Sequence, residues 1–158
     1  MKEPIYVKKS RLGRGVFAAR DIGKGEKICA MRGKKIDADH LSKVTTSGRN
    51  ILVDPLQISD RLFINMKEPY VLVNHSCNPN AGIKSPNTLV AIKNIVKDEE
   101  ILYDYSSVWY EGFECSCGNK NCRRFIGGFF ALPKSAQRKY IKLGIVSEFI
   151  EKKMKKLG

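Results

Sequence analysis

The sequence predicts a mostly β domain that turns helical near its C-terminal end. Three observations predict it. The 158 residues fit one domain, and a folded chain of that size buries roughly 70% of the surface it exposes when unfolded. Through residue 92 or so, short apolar runs alternate with glycine- and asparagine-containing turns, the pattern of several short strands. After Pro133 the apolar residues recur at three and four, the spacing of one helix face.

Taken in order, Val16–Ala19 and Lys27–Met31 are the first strands. The turn between them, Asp21–Glu26, holds two glycines that free the backbone for positive φ. Asp37–Lys43 reads as a short helix capped by Asp37. Ile51–Val53, Leu62–Ile64, Tyr70–Val73 and Leu89–Ile92 are further strands. In Glu99–Tyr105, Tyr103 and Tyr105 are two apart, so on a strand they share a side. A helix begins near Pro133, and Gly144 separates it from a second. There Val146, Phe149, Ile150, Met154 and Leu157 form an apolar stripe that should pack on the domain.

The net charge of +13 implies an acidic partner such as nucleic acid, or a solvated lysine-rich face. The charge is unevenly spread. From Asp98 to Glu114 there are six acids and no Lys or Arg, a window of −6 in a remainder of +19. That segregation predicts an acidic surface on a basic molecule. No apolar run approaches the ~18 residues of a membrane span. Nor does MKEPIYVKKS carry the apolar block of a signal peptide. An intracellular protein is expected, at chromatin in the nucleus if eukaryotic and otherwise cytoplasmic.

Three of the five cysteines, Cys115, Cys117 and Cys122, crowd into one loop. In a reducing compartment that pattern points to metal. A closed structural zinc site takes four ligands, so a fourth must come from Cys29, Cys77, His40 or His75. Cys29 sits in an apolar strand pattern and reads as core; Cys77, in a polar turn-forming stretch, is the better choice. That stretch, Asn74–Asn80, reads NHSCNPN, with many side chains able to bond nearby backbone. By composition it suits either a binding loop or a stack of structural turns. Gly13-Arg14-Gly15 lacks the third glycine of a dinucleotide fingerprint, and Lys24-Gly25-Glu26 completes no phosphate loop.

Together and in this order, the pieces resemble the SET-domain protein-lysine methyltransferases. Leu12–Ala18 (LGRGVFA) looks like the family's opening motif, NHSCNPN is its most specific signature, and EEILYDY at Glu99–Tyr105 is similar to its catalytic strand. Cys115–Arg123 looks like the post-SET zinc loop of trithorax-like members. The resemblance divides the chain into a SET domain over 1–106 with a variable insert at 33–69, a post-SET loop over 107–128 and a basic helical tail over 129–158.

The resemblance implies small curved sheets, with the NHSC segment threaded as a pseudoknot that brings Cys77 to the other three cysteines around one zinc ion. It makes Leu12, Gly13, Arg14 and Gly15 a backbone cradle for S-adenosylmethionine, with Asn74 and His75 at the ends of the cofactor and Phe125 against its adenine. It places Tyr105 at the transferring methyl and Tyr103 at the target amine, a tyrosine being found there in members that stop at one methyl. The implied substrate is a lysine in a basic protein such as a histone, drawn to Glu99, Glu100, Glu111 and Glu114 at the channel mouth, with the basic surface free to contact nucleic acid. A zinc-stabilised nucleic-acid-binding module is the competing class, though finger-type cysteine and histidine spacing is lacking. A SET fold used as an inactive scaffold is a third reading, and Tyr105 and NHSC are both intact.

Overall fold

The structure, a computed structural model, describes residues 2–40, 55–108 and 112–157. β1 (Ile5–Ser10) and β2 (Gly13–Ala18) form an antiparallel hairpin. Gly13 has φ 104° where the chain turns back, a conformation that favours glycine. Along the chain follow β3 (Lys27–Ala30), β4 (Gly33–Asp37), β5 (Leu56–Gln57), β6 (Leu62–Met66), β7 (Ala81–Lys84) and β8 (Thr88–Ala91). They make two antiparallel sheets, ordered β3-β8-β7 and β4-β6-β5. β9 (Phe113–Glu114) pairs with β10 (Phe125–Ile126), closing the cysteine loop at its base. Two helices end the chain, α1 (Lys134–Leu143) and α2 (Glu148–Leu157). The mostly β class is therefore observed.

The Asp21–Glu26 turn forms, and Gly25 takes its left-handed position at φ 88°. The Asp37 carboxylate accepts the His40 N–H at 2.7 Å, capping a helical turn over 38–40. The rest of that expected helix, and the strand expected at 51–53, lie outside the described residues. Gly144 ends α1 with φ 63°.

Two expected strands differ. Tyr70–Leu72 is a single 3-10 turn, held by Leu72 N–H to the Pro69 carbonyl and Val73 N–H to that of Tyr70. A short apolar run is compatible with either state, and here local bonds close the turn after Pro69. Glu99–Tyr105 is not one strand. It touches its neighbours through isolated bridges, Phe17 to Glu100 and His75 to Tyr103. It then turns, because the Asp104 side chain accepts the Ser106 N–H.

β8 divides the interior. Its alternate residues face opposite ways: Leu89 and Ala91 join a core with Val16, Ile28, Leu56, Val73, Ile101 and Tyr103. Val90 and Ile92 join a second core with Phe129, Tyr140, Val146, Phe149 and Ile150. The tail stripe thus packs on the back of the β3-β8-β7 sheet. Gly82, opposite Val90, permits the approach: a Cβ there would lie 2.7 Å from Ile145.

Candidate functional site

The Asn74–Asn80 stretch runs beside Leu102–Tyr105 and is ordered by it. Tyr103 donates its N–H to the Asn74 carbonyl at 3.2 Å and accepts that of Ser76 at 3.1 Å. Buried Asn80 accepts the Leu102 N–H at 2.9 Å and donates to the Glu100 carbonyl and the Glu99 carboxylate at 2.8 and 2.9 Å. The polar side chains here replace a strand ladder, which is what a buried irregular backbone requires.

This crossing sets the two tyrosines. Their rings pack 4.7 Å apart, Tyr103 buried and Tyr105 half-buried. The Tyr105 hydroxyl donates to the Val73 carbonyl at 2.9 Å, which puts two oxygens side by side. Asp104, between the tyrosines, turns inward and is 2% exposed. Arg123 donates to both its oxygens at 2.7 and 2.8 Å, and Tyr140 of α1 adds a third bond at 2.7 Å. Burial alone would raise the Asp104 pKa, but Arg123 and Tyr140 outweigh it and hold the carboxyl below its ordinary value. The sequence reading missed this network. An arginine after the last cysteine of the loop and a tyrosine on the uncharged side of α1 were its only signals.

The cysteines converge. The Cys77 and Cys115 sulfurs are 3.8 Å apart. Cys77, Cys115, Cys117 and His75 offer ligand atoms all within 4.8 Å of one another. Cys122 lies beside that group, its thiol 3.4 Å from the Cys115 carbonyl and interacting with the Cys115 and Cys117 thiols. Three of the four expected ligands thus lie together with His75, and the fourth, Cys122, is next to them. Burial pushes the Cys115 thiol up to about 12. At Cys117 burial is outweighed by N–H groups of Cys77 and Asn119 and by neighbouring thiols, which bring it down to about 7. A thiolate favoured among close thiols suits a soft cation. Cys29 is buried in the first core, with burial raising its thiol to about 12, and His40 is exposed on its helical turn.

The His75 imidazole lies edge-on to Tyr105 and Phe113, with ring centres 5.3 and 5.7 Å away. Burial lowers its pKa to about 4 against the pull of Asp104, so the 3.7 Å approach of Asp104 is not an ion pair at neutral pH. Nδ1 accepts the Tyr105 N–H at 3.2 Å. The proton of the neutral ring therefore sits on Nε2, 3.4 Å from the Cys77 sulfur.

The opening motif lies beside this cluster. Asn74 donates to the Arg14 carbonyl at 3.0 Å and to Glu100 at 2.9 Å. A Cβ on Gly15 would come within 2.3 Å of that Glu100 oxygen, so a larger residue there would have to displace the Glu100 carboxylate. The Arg14 side chain points away, paired with Glu68 at 2.8 Å, and Leu12 is exposed. Arg11 donates to the Ser116 carbonyl, joining the hairpin to the cysteine loop. Phe125 is 60% exposed and its ring covers Gly112.

The acidic window does not form one surface. Asp98 accepts from Tyr6, Glu99 from Asn80, Glu100 from Ser10 and Asn74, and Asp104 is buried. Glu99 and Glu100 are thus committed to internal bonds rather than standing at a channel mouth. Glu114 is exposed, and Glu111 lies outside the described residues.

Small sheets, a polar segment crossing a paired-tyrosine turn and an attached cysteine loop define the class. The chain belongs to the SET-domain family, whose model matches residues 13–106. It is 30% identical over 139 residues to the histone-lysine N-methyltransferase trithorax of Drosophila virilis, across 79% of this chain and 4% of that protein. It is 31% identical over 136 residues to an H3 lysine-36-specific histone-lysine N-methyltransferase of Candida albicans, across 73% of this chain and 16% of that one. The chain thus spans a small part of the length of these relatives. Its fold is similar to the methyltransferase domain of human histone-lysine N-methyltransferase SETMAR, with TM-score 0.60 and 23% identity over 81% of this chain and 59% of that one. Among the described residues no helix is long and apolar enough to cross a membrane.

Proposed function

We propose that this chain is a protein-lysine N-methyltransferase acting on a basic, lysine-containing protein such as a histone. The observation that carries the reading is the Tyr103–Tyr105 pair, packed at 4.7 Å, joined through Asn74 to the Arg14 carbonyl and through His75 to Cys77. In this reading 1–106 is the SET domain, with its insert at 33–69, 107–128 the zinc loop and 129–158 an accessory tail. A chromatin location in a eukaryote goes with it.

S-adenosylmethionine supplies a methyl group on a sulfonium. The residues fit such a ligand. Leu12, Gly13, Arg14 and Gly15 offer backbone and little side-chain bulk, because the Arg14 side chain is held away by Glu68. Asn74 holds the amino-acid end, exchanging its bond to Glu100. His75 contributes its backbone: both bonds of its bridge run to residues flanking it, and its imidazole is engaged with Tyr105 and Cys77. Phe125, exposed beside Gly112, covers the adenine.

A neutral amine is required for attack. With an ordinary lysine pKa of ~10.4, neutralising it at pH 7 costs about 4–5 kcal/mol. An apolar channel beside a cation supplies part of that. Asp104 is not a base here, since both its oxygens are taken by Arg123, Tyr140 and the Ser106 N–H. The Tyr105 hydroxyl, beside the Val73 carbonyl, offers oxygen to polarised C–H groups, and alignment supplies much of the rate. Tyr103 crowds the amine and favours the monomethyl product.

Cys77, Cys115, Cys117 and Cys122 hold one structural zinc. His75 Nε2 carries a proton and so serves as a donor to the Cys77 sulfur, while Cys122 turns inward to complete four thiolates. Nucleic acid is an expected second partner.

Incubation with labelled S-adenosylmethionine and core histones tests the whole reading, with calorimetric titration of the cofactor beside it. Labelled histone and saturable cofactor binding are expected. Cofactor binding without transfer to any protein of a lysate would leave a scaffold, and no binding would remove the reading. Tyr105→Phe should lower kcat about a hundredfold, equivalent to ~2.7 kcal/mol. Tyr103→Phe should instead shift product toward dimethyl- and trimethyl-lysine by mass spectrometry.

A further inference from the structure

We infer that the outer face of α1, with Lys84 and Lys93 of the adjoining sheet, is a docking surface for the phosphate backbone of double-stranded DNA. Lys134, Arg138 and Lys142 are exposed at four-residue intervals on α1, with Lys139 beside them. Residues four apart stand about 6 Å apart along one helix face, so they make a stripe. The inner face is spent elsewhere, with Gln137 and Tyr140 buried.

The sheet adds to the stripe from distant parts of the sequence. Lys84, at the end of β7, has its Cε 3.9 Å from the place of a Gly144 Cβ, at the end of α1. Lys93 lies close enough to Lys139 that the second charge, after burial, lowers its pKa. Its ammonium donates to the Asn78 side chain at 2.8 Å. Glu99 reaches Lys93 electrostatically, but its carboxylate is bonded to Asn80 and to the Val96 N–H.

What marks this face is the gathering of several unpaired cations from separate parts of the sequence around one helix. Ion pairs lie on other surfaces: Arg14 with Glu68, Arg20 with Glu26, Arg32 with Glu3, Arg61 with Asp39, Lys152 with Glu148 and Lys153 with Asp60. No ion pair among the described residues includes Lys84, Lys93, Lys134, Arg138, Lys139 or Lys142. Like charges left close together and unpaired are destabilising by themselves. The stripe has Ile141 as its only exposed large apolar side chain. It therefore lacks the aromatic and apolar anchors of a packed protein interface and has what sequence-independent backbone contact uses. Duplex DNA, with a charge roughly every 1.7 Å of axis, supplies more than enough anions for cations spaced about 6 Å apart.

The inference extends the proposed function to a partner that a basic, DNA-associated substrate would bring with it. It rests on that reading for its purpose only, since binding is measured without turnover. The probe is a fluorescent 20-base-pair duplex of arbitrary sequence, titrated with the full chain at several salt concentrations. The triple variant Arg138→Ala/Lys139→Ala/Lys142→Ala should weaken binding and flatten the slope of log affinity against log salt by roughly 2–3. A control removing the same charge, Lys9→Ala/Lys34→Ala/Lys35→Ala, should change the slope less. No binding by the wild type at 50 mM salt, or equal effects of the two variants, would overturn the inference. So would equal affinity for vesicles containing phosphatidylserine with the same dependence on the α1 variant, which would make the face a membrane contact. Methylation assays on the variants report separately, so a chain that binds DNA yet methylates nothing leaves this inference standing and removes the other.

Discussion

The two cores on either side of β8 are assembled from different kinds of chain. The first, around Val16, Ile28, Leu56 and Ile101, is wrapped in irregular backbone whose direction is set by polar side chains: Asn80 on Leu102 and Glu100, Asn74 on Arg14, Asp104 on Ser106. The second is closed by two helices whose Tyr140, Val146, Phe149 and Ile150 meet Val90 and Ile92. The first has geometry that only particular side chains can produce. The second requires apolar residues at helical spacing and little else. The candidate site lies beside the first, and the tail packs behind it.

The sharpest way to break that comparison is to remove the proposed metal. Cys77→Ser should abolish zinc binding, forfeiting on the order of 10 kcal/mol of metal-binding free energy, and with it the order of the loop. Elemental analysis should show zinc lost in Cys77→Ser and kept in Cys29→Ser. Full occupancy in the first and loss in the second would reassign the site.

Phe149→Ala acts on the other core. Removing a buried phenylalanine costs about 3–5 kcal/mol, so a large fall in Tm is expected with zinc content and cofactor affinity unchanged. Loss of zinc in that variant would mean that the cores are not separable.

Tyr140→Phe acts on the link between them and should have the smallest effect on stability. It removes a hydrogen bond to a charged group, about 1.5–3 kcal/mol. It should lower kcat more than it changes cofactor affinity, because Asp104 sets the turn between Tyr103 and Tyr105. It also gives a pH signature. The Asp104 carboxyl is held below its ordinary value, so its stabilisation is present above the unfolded pKa of ~3.9 and is lost as pH falls through the folded one. Without Tyr140 the folded value rises and acid unfolding begins at higher pH. An acid transition that stays in place, with kcat intact, would reduce Tyr140 to a packing residue.

What could be read in advance follows the same division. The tail was legible in outline, because helical spacing, Pro133 and the Gly144 stop are local signals. The strands of the first region were legible where apolar residues clustered, as at Lys27–Ala30 and Leu62–Met66. β1 and β4 were not, since their lysines mask the pattern: Lys8 and Lys9 in one, Lys34 and Lys35 in the other. Tyr70–Leu72 differs because a short apolar run fits a strand or a turn alike, and local bonds after Pro69 close the turn. At the site, the convergence of Cys77 with Cys115 and Cys117 was anticipated. The inward turn of Asp104 was not, because its partners Arg123 and Tyr140 are 19 and 36 residues away.

The bond from Arg11 to the Ser116 carbonyl ties the hairpin that bears Gly13 and Gly15 to the loop that bears the cysteines. Gly118 leaves the room: a Cβ there would lie 2.9 Å from the guanidinium carbon. In the proposed reading this boundary offers a path for coupling between metal and cofactor. If metal on the loop tightens the cradle by some factor, cofactor in the cradle must tighten the metal by the same factor. Zinc content then becomes a quantity that cofactor supply can move, and chelator sensitivity a measure of how full the cradle is.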